Sequence, residues 1–114
     1  MVHDWRIEAG RIWPVLVDVA SRREVMTYKD LGTRSGVFYR NLRHPLDRIG
    51  RYCFERAVPR LPPLTILIIN GDTRRPGDGI VGTHADRFDE DRDRVFDFAW
   101  STVVNPFAVF ATTR

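Results

Sequence analysis

The hydrophobic pattern of this chain follows helical spacing through its first half and then turns into short, strand-like runs. In "RIWPVLVDVASRR", Ile12, Trp13, Leu16, Val17 and Ala20 fall on one face, which predicts an amphipathic helix. Pro14 lacks a backbone N–H and fits best in a first turn, so the regular helix is expected from about 13 to 23. In "EVMTYKDLG", Thr27 has the chemistry of an N-cap, and Asp30 three residues on mimics a capping box. A short second helix is expected to start at Tyr28 and to stop near Gly32 or soon after. "SGVFYRNLRHPLDRIGRYCFERA" carries the longest helical pattern, with Leu42, Leu46, Ile49 and Cys53 at steps of four, three and four. Pro45 must open a helix there or join two helical pieces. Val58-Pro59, Pro62 and Pro63 close the pattern.

The period then changes. "LTILIIN" is a nearly continuous apolar run of strand length with β-branched Ile66, Ile68 and Ile69. Asn70-Gly71-Asp72 signals a turn, Pro76-Gly77-Asp78-Gly79 a second one, and Ile80-Val81 a short return strand. "THADRFDEDRDR" is polar with no clean apolar stripe, and reads as a surface helix or a loop. "VFDFAW" alternates, with Phe96, Phe98 and Trp100 on one side, and predicts a strand that ends at "NPF".

Helix, short helix, longer helix, strand, arginine-bearing turn, strand is the order of a winged helix-turn-helix. The predicted fold class is α+β: a three-helix core with a small antiparallel β wing and a C-terminal strand. The expected layout is a single domain over 1–114, with a helical part at 11–60, a wing hairpin at 61–82, and an acidic segment plus strand at 83–114. Trp13, Leu16, Leu46, Ile49, Ile66 and Ile68 are expected to be buried together between helices and wing.

Composition narrows this picture. A length of 114 residues with 43% hydrophobic, 11% aromatic and 29% charged residues fits one globular domain and argues against disorder. No apolar run reaches the roughly 18 residues of a membrane span. The charged start "MVHDWRIEAG" shows no signal-peptide pattern, so a cytoplasmic location is expected. One cysteine excludes an internal disulfide and a multi-cysteine metal site.

Charge is unevenly spread. Residues 1–63 hold 12 basic and 7 acidic side chains, whereas residues 64–114 hold 6 and 8. Arg34, Arg40, Arg43, Arg48, Arg51, Arg56 and Arg60 face only Asp47 and Glu55 along one stretch. That surplus is a candidate phosphate-binding surface. A solvated arginine face, partly paired through Asp47 and Arg51 at i,i+4, explains the same residues.

Catalytic candidates are weaker. Cys53 sits on the apolar face of the third helix with no base supplied by a motif, as expected of a buried structural thiol. His3, His44 and His84 share no metal-ligand spacing with each other or with Cys53. His84 with Asp86, Asp89, Glu90, Asp91 and Asp93 is the one set that resembles a divalent-ion site for phosphodiester cleavage, although the interleaved Arg87, Arg92 and Arg94 fit a solvated face better. "GDTRRPGDG" lacks the Lys-Ser/Thr ending of a P-loop. Val95, Phe96, Phe98, Trp100 and Phe107 either pack the back of the domain or offer a surface to a second copy or a protein partner.

Ile12-Trp13, Leu16 and "MTYKDLG" (Met26–Gly32) resemble the start of the DNA-binding domain of alkylguanine-DNA alkyltransferases and alkyltransferase-like proteins, which reads V-W-x-x-L and then T-T-Y-G-x-[IL]-A. The resemblance covers about 11–82. It implies a recognition helix followed by a reactive turn and wing, the place occupied by "LPPLTILIINGDTRRPGDG". It also implies that Tyr28 lies at the DNA backbone. The family's P-C-H-R turn, with Trp replacing Cys in the alkyltransferase-like proteins, is absent: Pro62-Pro63-Leu64-Thr65 stands there, with no thiol to accept an alkyl group and no His to activate one. Lys29 replaces the Gly.

The expected function is therefore non-catalytic DNA binding, regulatory or in defence or repair, without cofactor or metal. The contacts expected with duplex DNA are Tyr28, Tyr39, Arg40 and Arg43, with Arg74 and Arg75 at the wing tip. A protein-interaction module (an inhibitor, immunity protein or adaptor) is the alternative reading, and a metal-dependent nuclease the third.

Overall fold

The computed structural model describes residues 3–76 and 85–111. Its centre is helix α1 (Arg6–Ser21), which touches the other helices and the apolar stretch at 64–67. The helix starts earlier than the sequence pattern predicts and holds Pro14 in its interior. An interior proline leaves the carbonyl four residues back without its usual donor. Here that carbonyl belongs to Gly10, and the Asn105 side-chain amide donates to it at 2.9 Å. The Asn105 Oδ1 in turn accepts from the Phe107 backbone N–H at 3.0 Å, which fixes the amide's orientation. The helix tolerates its proline because a distant residue supplies the missing hydrogen bond. Its C-terminus closes with Arg23 in the left-handed region at φ 56, its N–H on the Ala20 carbonyl and that of Glu24 on the Val19 carbonyl.

Strand β1 (Met26–Thr27) leads directly into helix α2 (Tyr28–Ser35). Thr27 is the predicted cap: its hydroxyl accepts from the Asp30 N–H at 3.2 Å. Gly36, at φ 77, ends the helix with its N–H on the Gly32 carbonyl. A 3-10 turn at Tyr39–Asn41 precedes helix α3 (Arg43–Arg51), where Pro45 sits in the first turn. A π turn over Tyr52–Arg56 extends it. The predicted row Leu42, Leu46, Ile49 and Cys53 is buried throughout.

The apolar run after the prolines is not a wing strand. Leu64–Leu67 form a 3-10 turn, and only Ile68–Ile69 (β2) are extended. Leu64 through Ile69 are all buried, so both faces of the run lie in the interior, whereas a wing hairpin would keep one face in water. β2 pairs with β1 in parallel, Met26 opposite Ile68 and Thr27 opposite Ile69. Among the described residues this parallel pair replaces the expected antiparallel wing. The expected return strand Ile80-Val81 lies outside them.

The C-terminal strand is also corrected. Phe88–Asp97 is helix α4, Trp100–Thr102 a 3-10 turn, and Ala108–Ala111 the short helix α5. Val95 shares the buried face of α4 with Phe88 and Asp91. Trp100 is buried and needs an acceptor for its indole N–H, which it finds at the Val95 carbonyl at 2.8 Å. That bond folds Trp100 back over the end of α4 instead of continuing an alternating strand.

Trp13, Leu16, Leu46, Ile49, Ile66 and Ile68 do form one core, joined by Val95, Trp100 and Phe107. The Trp13 ring meets Tyr52 at 6.1 Å and Trp100 at 6.0 Å, both edge-on. Trp100 and Phe107 are thus spent on the interior, not on a strand offered to a second copy. The fold is α+β and mostly helical, and among the described residues no helix is long and apolar enough to cross a membrane.

Candidate nucleic-acid interface

Helix α2 organises the residues singled out from the sequence. Tyr28 is its first residue, half-buried and packed against the core. The parallel pairing of Thr27 with Ile69 brings the turn that follows β2 beside this end of α2. A side chain at Gly71 would meet the Thr27 methyl group at 3.8 Å. One helical turn further along, Gly32 receives the 3-10 turn: a Cβ there would lie 3.0 Å from the Val37 carbonyl and 3.3 Å from the Tyr39 Cβ. The start of the turn at 70–75 therefore lies beside the first residues of α2, while its Arg75 reaches across to Phe88, and Tyr39 meets α2 about 6 Å further along its axis.

The turn at 70–75 closes on itself. The Asn70 side-chain oxygen accepts from the Asp72 N–H at 2.8 Å and the Thr73 N–H at 3.3 Å. The Asn70 N–H donates to the Arg75 carbonyl, and the Arg74 N–H to the Asn70 carbonyl, both at 2.8 Å. The sequence signal for a turn is correct, and the chain reverses here. Arg74 takes a left-handed backbone at φ 60, a conformation that glycine adopts more cheaply. Arg74 and Arg75 are exposed, with the Arg75 guanidinium 5.0 Å from the centre of the Phe88 ring.

The arginines around α3 divide into two groups. Arg34 is bound to Asp18 at 3.0 Å, and this bond holds the Asp18 carboxyl below its ordinary range. Arg51 engages both acids of its neighbourhood, Asp47 at 2.9 Å and Glu55 at 3.3 Å, which raises its own pKa. Arg40, Arg43, Arg56 and Arg60 make no ion pair among the described residues. Arg40 rests over the Tyr39 ring at 5.6 Å and Arg60 over Phe54 at 4.1 Å. Arg48 faces Asp4, whose carboxyl is drawn down to about 2, first by the Arg6 side chain and with a smaller pull from Arg48.

The weaker candidates have structural roles. Cys53 is buried, and desolvation pushes its thiol up to about 11, away from the thiolate a nucleophile needs. His44 stacks on Trp5 at 4.7 Å. Of the acidic set, Asp91 turns inward to Arg94 at 3.1 Å, and His84 lies outside the described residues. Among the described residues no three His, Cys, Asp or Glu side chains are grouped to hold a metal ion.

One exposed residue was not read from the sequence. Phe38 stands in water beside Tyr39, their rings 5.2 Å apart. Its signal was present: "VFYRNL" puts two aromatics and an arginine between apolar positions that lie inside. Comparison with protein-family models, with curated proteins and with solved structures finds no match.

Proposed function

We propose that this chain is a non-catalytic DNA-binding protein, regulatory or in a defence or repair setting, that sets the turn at 39–43 and the turn at 70–75 against the phosphates of a duplex. The observation that carries the proposal is the division of its arginines. Arg51 holds both nearby carboxylates, which leaves Arg40, just before α3, and Arg43, at its start, exposed and without an acidic partner among the described residues. Phosphate contacts dominate the affinity of most DNA-binding proteins, and guanidinium groups free of carboxylates are suited to make them. Arg74 adds support, since a bulky residue held at positive φ in an exposed turn is strain that function can explain. The resemblance of Ile12-Trp13, Leu16 and Met26–Gly32 to the alkyltransferase-like DNA-binding domain points the same way. In this reading α3 is the recognition helix and Tyr28 sits at the backbone.

The test is a fluorescence-anisotropy titration of a labelled duplex at several salt concentrations. The parent is compared with a variant carrying Arg40→Ala, Arg43→Ala, Arg74→Ala and Arg75→Ala. The parent should lose affinity as salt rises, with a slope of about −0.9 per phosphate neutralised, and the variant's slope should be shallower by about one unit for each arginine that makes such a contact. Absent binding, or identical slopes in two folded proteins, would sink the reading and favour the protein-interaction module.

A further inference from the structure

Two aromatic side chains stand exposed where the fold has no use for them. Phe38 is 58% exposed and Tyr39 39%, and they are consecutive. They lie in a four-residue turn, Phe38–Asn41, anchored by buried Val37 on one side and buried Leu42 on the other. The turn is held closed by the Asn41 N–H on the Phe38 carbonyl at 2.9 Å and the Leu42 N–H on the Tyr39 carbonyl at 3.3 Å. Gly32 of α2 presses against the Tyr39 backbone, so the turn has a firm floor. The exposed aromatics therefore project from a braced turn, which limits the ordering cost of anything that binds them.

The chemistry of the turn selects the partner. The two rings meet edge to face at 66°, so neither is stacked on the other, and Phe38 is the more exposed of the two. The Arg40 guanidinium already lies over the Tyr39 ring, and Arg43 follows on the first turn of α3. Asn41 is exposed and carries the donor and acceptor pair that reads a base edge. Every polar side chain from 38 to 43 is neutral or cationic. Aromatic faces for bases, with guanidinium groups for the phosphates on either side, form a stacking platform for unpaired nucleic acid. A protein partner would be asked to bring aromatic or apolar groups and negative charge in the same spacing, whereas a single strand brings both in every nucleotide.

We infer that Phe38 and Tyr39 form a stacking site for unpaired bases, so that this protein favours single-stranded segments or unpaired positions over backbone alone. The inference rests on the proposed nucleic-acid binding and adds the kind of nucleic acid.

The measurement is anisotropy with two labelled 12-residue strands of equal charge, one of thymidines and one with abasic sites at every position. The parent should bind the thymidine strand about 5- to 150-fold more tightly, the range expected for one stacked base. Phe38→Ala and Tyr39→Ala should lose most of that preference while keeping the salt slope. Phe38→Trp should retain it, since a larger ring stacks at least as well, and both Phe38 variants should melt like the parent. Equal binding of the two strands by the parent, or an undiminished preference in Phe38→Ala, overturns the stacking site and leaves the backbone reading intact. Absent binding of either strand and of duplex at low salt overturns both. A parent that sediments as a dimer, with Phe38→Ala a monomer, assigns the patch to a second copy and likewise overturns it.

Discussion

Two helices of this domain are rich in arginine, and they use it in opposite ways. On α4, each arginine lies within ion-pair reach of a carboxylate on the same helix or at its edge. Arg87 reaches Glu90 at 3.5 Å, Arg92 reaches Asp89 at 3.7 Å and Asp93 at 3.9 Å, and Arg94 reaches Asp91 at 3.1 Å. Arg92 also lies over the Phe88 and Phe96 rings. Along α3 and its flanks the same residue type outruns its partners, because Asp47 and Glu55 both go to Arg51. The spacing that makes α4 self-neutralising, opposite charges at a step of three residues, is missing from "YRNLRH". Arginine content alone does not mark a phosphate surface. Under the proposed function, the local ratio of arginine to carboxylate at helical spacing does.

The comparison assumes that α3 and α4 are two faces of one core, and the largest expected effects test that. Ile49 of α3 and Val95 of α4 are both fully buried in the same cluster. Ile49→Ala should cost about 2–5 kcal/mol of unfolding free energy, and Val95→Ala somewhat less because fewer carbons are removed. Chemical denaturation followed by tryptophan fluorescence measures both, and each variant should unfold in one transition. A Val95→Ala variant that loses only a local signal while the rest melts like the parent would make α4 a separate appendage.

A smaller effect distinguishes the charges within α4. The Asp91 side chain is only 3% exposed, whereas that of Asp89 is 78% exposed. Removing a buried carboxylate breaks hydrogen bonds that water does not readily replace on its inner side, at a cost on the order of 1–3 kcal/mol, while an exposed one contributes little. Asp91→Ala should lower the melting temperature clearly and Asp89→Ala hardly at all. Equal effects would mean that Asp91 is no more integral to the fold than the outer acids.

These contrasts show what the sequence could carry. Helical spacing made Leu42, Leu46, Ile49 and Cys53 legible, and cap chemistry made Thr27 legible, because both signals are local. Helix α4 was legible only as one of two options, a surface helix or a loop, because its inward face alternates Phe88 and Val95 with Asp91, a charge where a stripe would be apolar. The aromatics at 96, 98 and 100 then imitated a strand. The true extent of α1 depended on Asn105 reaching the Gly10 carbonyl across 95 residues, which no window around Pro14 contains. At the candidate interface, the excess of arginine was visible, and so was the possible Asp47–Arg51 pair. Which arginines remain without acids depends on further contacts such as Arg34 with Asp18, made between elements.

The smallest expected change is the most direct test of the comparison, because it alters partners without touching the arginines. Asp47→Asn and Glu55→Gln together keep the shape of both side chains and remove both charges that hold Arg51. Stability should hardly move, since all three groups are about half exposed and such pairs contribute little. Without these two acids the exposed face of α3 retains Arg43, Arg48 and Arg51 and becomes more uniformly basic. If the ratio of arginine to carboxylate sets phosphate affinity, duplex binding should tighten and the salt dependence steepen by up to about one unit as Arg51 becomes available. The matching change on α4, Asp89→Asn with Glu90→Gln, also frees arginines but should change binding less, because that helix meets the proposed interface only where Arg75 rests on Phe88. Anisotropy titrations of both double variants against one duplex at matched salt make the comparison. Equal tightening by the two would show that net charge, and not the placement of unpaired arginines around α3, governs the interaction.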